Sequence, residues 1–196
     1  MITFITGGVR SGKSAYAEER AISLHQTRAR SSLFYVATSR VYDHEMAGRV
    51  ERHRLTREQS GAFWRVIEQP RNIDELFHLF KKGDVLLLDC VTILLSNEFF
   101  IFSEAKVEMW HDDAFQKEIE QKLKNLVTKF AKAPFDVIIV SNEVSYDLQT
   151  GDVGTEYYKR LLGRVHQHIV LLSKEAILVE CGIPCWKKGA KECTEL

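Results

Sequence analysis

One loop motif constrains this chain more than any other feature, and it reads Gly7-Gly8-Val9-Arg10-Ser11-Gly12-Lys13-Ser14. It fits the pattern G-x-x-x-x-G-K-[ST], with an apolar run before it and a helical pattern after it. Glycine at both ends allows backbone angles that a side chain would forbid, so successive N–H groups turn toward one point. Such a cradle at the start of a helix binds phosphate oxygens. The motif therefore predicts a strand, a phosphate-binding loop (P-loop) and a helix in succession.

Two side chains of this motif and one carboxylate elsewhere carry the predicted phosphate chemistry. Lys13 supplies a mobile positive charge for the β and γ phosphates, and the Ser14 hydroxyl is the expected ligand of Mg²⁺. Asp89 ends the apolar run Val85–Leu88, where a carboxylate approaches the same ion directly or through water. The alternative for Asp89 is a helix cap for the segment that starts at Val91.

Length and charge exclude several classes of protein. The 196 residues predict one domain over 1–196, large enough to fold without disulfides or a structural metal. Lys plus Arg and Asp plus Glu are both 27, so no overall field favours nucleic acid or a membrane surface. The chain shows no basic leader, and its first apolar run is too short to span a bilayer. We therefore expect a cytoplasmic protein with no membrane span and no nucleic-acid partner.

Short apolar, β-branched runs alternate with stretches of helical period along the chain. Because these runs are continuously apolar, we expect strands that are covered on both faces. The predicted fold is α/β, a three-layer P-loop NTPase-like (RecA-like) arrangement with a mainly parallel sheet, helices on both faces and an antiparallel C-terminal edge strand. Ligands are then expected at the carboxyl ends of the strands. The predicted strands are Ile2–Thr6, Leu33–Thr38, Phe63–Glu68, Val85–Leu88, Val137–Val140, Ala176–Val179 and Ile183–Lys187.

The helical patterns cover most of the remaining chain. The segment Phe99–His111 is aromatic and irregular, which suits either a loop over a pocket or a subunit contact. The predicted helices are Ala15–Leu24, Glu45–Leu55, Ile73–Phe80 behind Asn72 as a possible cap, Asp113–Ala131 and Glu156–Leu172.

A polar column on the second of these helices has two interpretations. Glu45, Arg49 and His53 follow one another at i, i+4 spacing, which is also typical of an amphipathic surface helix with a Glu–Arg pair. The other interpretation makes His53 a nucleophile, because an unperturbed imidazole is mostly neutral at pH 7. Arg49 and Arg54 would favour that neutral form and hold a phosphate beside it. Attack on an α-phosphate would give a phosphoramidate and divide nucleotidyl transfer into two displacements.

Taken together, these motifs resemble the bifunctional adenosylcobinamide kinase and adenosylcobinamide-phosphate guanylyltransferase family. The resemblance covers nearly the whole chain, and the Arg-Val-x-x-His segment is more specific than the P-loop. The segments that carry it after the loop are Tyr35–Ser39, Asp43–His53, Leu88–Thr92, Ser96-Asn97, Ser141–Val144, Leu162–Gln167 and Gly182–Pro184.

The resemblance implies a homotrimeric enzyme of cobalamin biosynthesis. Such an enzyme phosphorylates adenosylcobinamide with GTP or ATP and then transfers GMP from GTP to adenosylcobinamide phosphate, giving adenosylcobinamide-GDP. The family's guanylylated histidine corresponds to His53, and Asp89 would lie near Mg²⁺. The residues implied in phosphate binding are Gly8, Arg10, Ser11, Gly12, Lys13 and Ser14, and further candidates at the predicted ligand edge are Thr38, Ser39, Asn142 and Glu143.

Two other functions stay open from sequence: a P-loop small-molecule kinase without the guanylyl step, and a non-catalytic GTP-binding regulatory module. Ser145–Thr150 stands where the family continues Gly-x-Gly-Ile-Val-Pro, and His166 replaces the asparagine of Gly-Arg-x-Asn-Gln. The altered loop bears on whether both half-reactions are retained. Also open are the corrinoid side chain, the choice of ATP or GTP for the kinase step, the oligomeric interface, and the kinase general base, for which Asp89 and Glu143 are candidates.

Overall fold

A computed structural model describes residues 1–39, 48, 57–58, 60–101, 108–144 and 152–189. The predicted nucleophile His53 lies outside the described residues, as do Arg49 and Arg54. The altered loop Ser145–Thr150 also lies outside them.

The described chain forms seven strands and four α-helices. Two short 3₁₀-helices cover Ile73–Leu79 and Met109–His111. The strands are β1 Ile2–Gly7, β2 Leu33–Ala37, β3 Trp64–Glu68, β4 Val85–Asp89, β5 Asp136–Asn142, β6 Glu175–Glu180 and β7 Ile183–Lys188. The helices are α1 Lys13–Gln26, α2 Val91–Phe99, α3 Asp113–Lys132 and α4 Val153–Leu172.

All seven strands belong to one sheet in the order β3-β2-β4-β5-β1-β6-β7. Every neighbouring pair is parallel except β6 and β7, which are antiparallel. This arrangement confirms the predicted mainly parallel α/β fold with an antiparallel C-terminal edge strand. Strand β5 lies between β1, which precedes the P-loop, and β4, which ends at Asp89. Only this one strand separates the P-loop from Asp89 at the ligand edge of the sheet.

Both faces of the sheet are covered, as the apolar runs predict. Leu86 and Leu88 of β4 are buried in a core that includes Phe130 of α3. The alternate residue Leu87 is buried in the opposite core with Ala17 of α1. Because side chains alternate along a strand, a run apolar at every position indicates packing on both faces.

Helix α2 was not predicted as a separate element. Most of its residues are buried, including Leu94, Leu95 and Phe99. A helix that is apolar around most of its circumference lacks the one-sided pattern by which surface helices are recognised. The sequence therefore predicted only a possible helix start after Asp89.

The predicted helix over Ile73–Phe80 was wrong in type, because Ile73–Leu79 is a 3₁₀-helix. Asn72 precedes it with a left-handed φ of 51° and makes no side-chain cap. Its Oδ1 instead accepts a hydrogen bond from Lys122 Nζ at 2.6 Å. The Asn72 side chain thus contacts a residue 50 positions away along the chain and does not make the expected cap of the following helix.

None of the helices in the described ranges is long and apolar enough to cross a membrane.

Candidate active site

The P-loop leaves β1 at Gly7, where only glycine fits. A Cβ built at Gly7 would lie 2.4 Å from the carbonyl oxygen of Val179 on β6 and 2.6 Å from Ser11 Oγ. Farther along the loop, Arg10 and Gly12 adopt left-handed φ values of 62° and 90°. These angles turn the backbone into the curved path that a phosphate cradle requires.

The turn between β6 and β7 supports the far side of this loop. The backbone N–H of Gly182 donates to the carbonyl of Ser11 at 2.8 Å. A Cβ at Gly12 would approach Gly182 Cα to 3.2 Å. The antiparallel hairpin at the end of the sheet therefore positions the loop as well as closing the edge.

Lys13 opens α1 and is mostly buried, with 8% of its surface exposed. Its Nζ donates to the carbonyl of Gly8 at 3.0 Å, across the loop. The first turn of α1 contains no acidic residue. The positive end of the helix and the lysine ammonium thus act together to favour an anion.

A cavity of about 180 Å³ lies at the carboxyl ends of the strands beside this loop. Predicted residues from four strand ends line it together, which supports one common site at the ligand edge. Those predicted residues are Val9, Lys13, Ser14, Ser39, Asp89 and Asn142.

Two of the predicted residues have backbone contacts at the strand ends. The hydroxyl of Thr38 donates to the carbonyl of Cys90 and accepts its N–H, both at 2.9 Å, so it joins the ends of β2 and β4. The backbone N–H of Glu143 donates to the carbonyl of Gly7 at 3.0 Å. These contacts connect the neighbouring strands to the base of the P-loop.

Asp89 is held by a tyrosine. The hydroxyl of Tyr35 on β2 donates to Asp89 Oδ2 at 2.8 Å. Burial raises the pKa of Tyr35 well above its usual range, and the charge of Asp89 raises it further, so the hydroxyl remains a donor. Cys90 is the N-cap residue of α2 and makes no side-chain cap, so the described contacts give no support to the capping alternative.

The donor set fits a magnesium ion. The hydroxyl-bearing Ser14 and the carboxylate-bearing Asp89 line the same cavity. Mg²⁺ prefers such oxygen ligands and keeps several waters while it binds substrate phosphates. Ser14 and Asp89 are therefore the side chains that would hold the ion next to a triphosphate in the P-loop.

Arg57 is a site residue that the sequence did not reveal. Its guanidinium lies 3.8 Å above the centre of the Tyr35 ring and also lines the cavity. Its Nη1 lies 3.3 Å from Glu18 Oε1 of α1, and both side chains are 7% exposed. Burial raises the pKa of Glu18 to about 7, although the Arg57 charge opposes the shift. The two residues are 39 positions apart, so no local pattern could indicate the pair.

A hydrogen-bonded chain of three side chains at the end of β5 is a second feature that the sequence did not predict. His166 Nε2 on α4 is 2.7 Å from Ser141 Oγ, which is 2.9 Å from Thr92 Oγ1 on α2. Thr92 Oγ1 accepts the backbone N–H of Asn142 at 2.7 Å. This chain of hydrogen bonds fixes the strand end that presents Asn142 to the cavity.

We predict that Gly7→Ala destabilises the protein and weakens nucleotide binding. The new methyl group would collide with the Val179 carbonyl, which is backbone and cannot rotate away. Such overpacking costs about 1–3 kcal/mol of the free energy of unfolding, measurable by urea denaturation. Gly8→Ala is the matched control in the same loop, since its Cβ would meet nothing within 4 Å. Equal stabilities of the two variants would contradict the assignment of close approach to Gly7.

We also predict that His166 makes the protein less stable in acid. Burial lowers the pKa of His166 to about 4, against a smaller opposing effect of Glu143. The unfolded imidazole binds a proton near pH 6.5, so between pH 6.5 and 4 the unfolded state carries more protons and stability falls as pH falls. The loss from pH 7 to pH 5 is about 2 kcal/mol.

Urea denaturation of the wild type and of His166→Gln at several pH values measures this effect. Glutamine has no titrating group, so its free energy of unfolding lacks this component and the difference between the two proteins changes with pH. Curves that stay parallel from pH 7 to pH 5 would contradict the prediction.

The fold and the site together define a P-loop nucleotide-binding enzyme. A phosphate cradle on β1, a lysine at the start of α1 and an acid at the end of β4 meet at one edge of a mainly parallel sheet. The family model CobU, cobinamide kinase / cobinamide phosphate guanyltransferase, matches residues 3–186. The chain belongs to this family of transferases, which confirms the resemblance found from its motifs.

Relatives match this chain over almost their whole length. It is 32% identical to the bifunctional adenosylcobalamin biosynthesis protein CobU of Escherichia coli K12 over 185 residues, 93% of this chain and 97% of that protein. The CobU protein of Salmonella typhimurium is 31% identical over the same shares. The CobP protein of Pseudomonas aeruginosa is 28% identical over 96% of this chain and 98% of that protein.

Two solved structures show a weaker likeness. The flagellar accessory protein FlaH of Methanocaldococcus jannaschii aligns with a TM-score of 0.46 and 15% identity over 96% of this chain and 78% of that one. The KaiC-like protein PH0186 of Pyrococcus horikoshii aligns with a TM-score of 0.44 and 13% identity over 90% and 69%.

Proposed function

We propose that this chain phosphorylates adenosylcobinamide with GTP or ATP and then transfers GMP from GTP to adenosylcobinamide phosphate. The transfer proceeds through a guanylyl group on His53. Family membership supports both activities. The observation that carries the proposal is the place of Arg57, four residues after His53, in the cavity lined by Lys13 and Ser14.

The chain connection between these two residues supports a role for His53 at the same cavity. An extended chain spans at most about 3.6 Å per residue, so four residues span about 14 Å in any conformation. The Cα of His53 therefore cannot be farther than that from the Cα of Arg57. This distance permits the imidazole to meet a nucleotide whose phosphates lie in the P-loop.

In the kinase half-reaction, the aminopropanol hydroxyl of the corrinoid attacks the γ-phosphorus. The new O–P bond forms as the bond to the bridging oxygen of the diphosphate breaks. Lys13, Arg10 and the loop N–H groups stabilise the charge on the transferring phosphoryl group. Ser14 and Asp89 would hold Mg²⁺, which would supply further positive charge to the phosphates of the nucleotide. Asp89 and Glu143 are the candidates to receive the hydroxyl proton.

In the guanylyl half-reaction, the neutral imidazole of His53 attacks the α-phosphorus of GTP. An N–P bond forms, the bond from the α-phosphorus to the bridging oxygen breaks, and pyrophosphate leaves. Lys13 and Arg10 stabilise the departing charge, while Arg49 and Arg54 hold the α-phosphate. A phosphate oxygen of adenosylcobinamide phosphate then attacks the same phosphorus, which releases His53 and forms adenosylcobinamide-GDP.

The proposal extends to assembly and location. We predict that the protein is a single domain, forms a homotrimer and is cytoplasmic. We also predict that it has no nucleic-acid partner. Phe63, directly before the edge strand β3, is 80% exposed and offers an apolar side chain for a contact between copies. Multi-angle light scattering of the purified protein tests the trimer.

Two parallel assays of the purified protein with α-labelled GTP test the proposed function, one with adenosylcobinamide phosphate and one with adenosylcobinamide. We expect labelled adenosylcobinamide-GDP and one pyrophosphate per turnover. Phosphorylation of adenosylcobinamide with no labelled product would favour the small-molecule kinase. Stoichiometric GTP binding with no turnover of either corrinoid would favour the regulatory module.

A further inference from the structure

Tyr35 contacts two charged residues of the site through different parts of its side chain. Its hydroxyl donates to Asp89 Oδ2 at 2.8 Å. The face of its ring lies 3.8 Å from the Arg57 guanidinium. The ring is itself fixed by an edge contact with Trp64, whose centroid is 6.1 Å away at an interplanar angle of 85°. Tyr35 is 6% exposed, so the buried sheet sets its position.

We propose that Tyr35 is a positioning residue for both half-reactions. Its hydroxyl orients the Asp89 carboxylate toward the cation position, and its ring holds Arg57 at the end of the segment that carries His53. The second role rests on the function proposed above for His53.

The hydroxyl contact leaves Asp89 with one defined orientation. A carboxylate at a strand end can rotate about its Cα–Cβ and Cβ–Cγ bonds, and a charge-assisted hydrogen bond to one oxygen limits that rotation. Oδ2 accepts the Tyr35 hydroxyl, and the carboxylate also lines the cavity that contains Ser14 and Lys13. Tyr35 thus fixes the direction in which Asp89 presents its other oxygen.

The ring contact fixes Arg57 in both position and orientation. A guanidinium is planar, so stacking on an aromatic face sets its tilt, which a flexible lysine ammonium cannot reproduce. Glu18 provides a second anchor, 3.3 Å from Nη1. Arg57 is thus held by both the Tyr35 ring and the Glu18 carboxylate, while Asp89 accepts the tyrosine hydroxyl.

Two variants separate the two roles. Tyr35→Phe removes the hydroxyl and keeps the ring under Arg57, whereas Tyr35→Leu removes both. Tyr157→Phe is the matched control, because Tyr157 packs on the core of the opposite sheet face and lies 6.3 Å from the Trp110 ring. Circular dichroism and thermal melting establish that each variant is folded.

The first readout is the Mg²⁺ dependence of binding of a fluorescent GTP analogue. We expect Tyr35→Phe to raise the Mg²⁺ concentration for half-maximal enhancement of binding by about tenfold, the usual worth of a hydrogen bond to a charged group. Binding without Mg²⁺ stays unchanged, and Tyr157→Phe matches the wild type in both. An unchanged Mg²⁺ midpoint in Tyr35→Phe would overturn the role of the hydroxyl.

The second readout is the rate of protein-bound GMP formation at saturating Mg²⁺. We expect Tyr35→Leu to fall by about 10²-fold, as misplaced site residues cause, and Tyr35→Phe, which keeps the ring, to fall less than Tyr35→Leu. Equal rates for Tyr35→Leu and the wild type would overturn the role of the ring. If the wild type forms no protein-bound GMP, the proposed function is contradicted, and the role of the ring is contradicted with it. The role of the hydroxyl is still decided separately, by the Mg²⁺ concentration for half-maximal enhancement of GTP-analogue binding.

Discussion

Lys13→Ala is expected to lower the rates of both phosphoryl transfer and GMP transfer by about 10²–10³. In the proposed mechanism, both half-reactions place their transferring or departing phosphate charge in the P-loop, where Lys13 Nζ lies 3.0 Å from the Gly8 carbonyl. Loss of one well-placed cation from a buried site removes stabilisation that water cannot replace. The value of kcat/KM for each half-reaction, measured with the purified variant, gives the two losses separately.

Lys132→Ala is the matched control for this prediction, because Lys132 is exposed at the end of α3. We expect it to retain both activities. A Lys13→Ala variant that loses only one activity would show that the two half-reactions do not share one phosphate cradle. Retention of both activities would contradict the assignment of the P-loop as the catalytic site.

His53→Ala is expected to abolish GMP transfer and leave phosphorylation of adenosylcobinamide within about threefold of the wild type. A covalent nucleophile has no substitute once it is removed, and such a loss in a serine protease costs about 10⁶ in kcat. The kinase step uses the corrinoid hydroxyl as its nucleophile and does not need the imidazole. Assays of each half-reaction with its own acceptor measure the separation.

His78→Ala serves as the control for this second prediction. His78 is exposed on the 3₁₀-helix and contacts the carbonyl of Glu75 through Nδ1 at 2.7 Å. We expect both activities to persist in this variant. GMP transfer that survives in His53→Ala would contradict the covalent route, and loss of both activities together would assign His53 to nucleotide binding instead.

The sequence predicted the fold because its signals are local. Strands buried on both faces show themselves as unbroken apolar runs, and β4, with Val85, Leu86, Leu87 and Leu88 all buried, is a clear instance. The P-loop is likewise a short motif that is recognised from the spacing of its own glycines and lysine. Its place after β1 follows from chain order alone.

The sequence could not predict contacts that depend on tertiary packing. The Arg57–Glu18 pair connects residues 39 positions apart, and the His166–Ser141 hydrogen bond connects residues 25 apart. In the sequence, none of these four residues is distinguished from an ordinary polar surface residue. Glu18 lies on α1 and His166 on α4, so only the packing of these helices against the sheet brings the partners together.

Helix α2 shows the opposite difficulty. Its apolar sequence is informative, but the pattern does not distinguish a buried helix from a buried strand over so short a length. The residues Thr92 and Asn97 within it make site-supporting hydrogen bonds, to Ser141 and to the carbonyl of Thr38. Those roles follow from the packing of the helix and not from its composition.

The most direct test of the central claim is to locate the label after incubation with α-labelled GTP. Digestion at glutamate releases the peptide Arg52–Glu58, in which His53 is the only histidine and no lysine occurs. We predict one acid-labile, base-stable GMP on this peptide, which disappears when adenosylcobinamide phosphate is added and reappears as adenosylcobinamide-GDP. Label on another peptide, or none on a protein that binds GTP, would contradict the account.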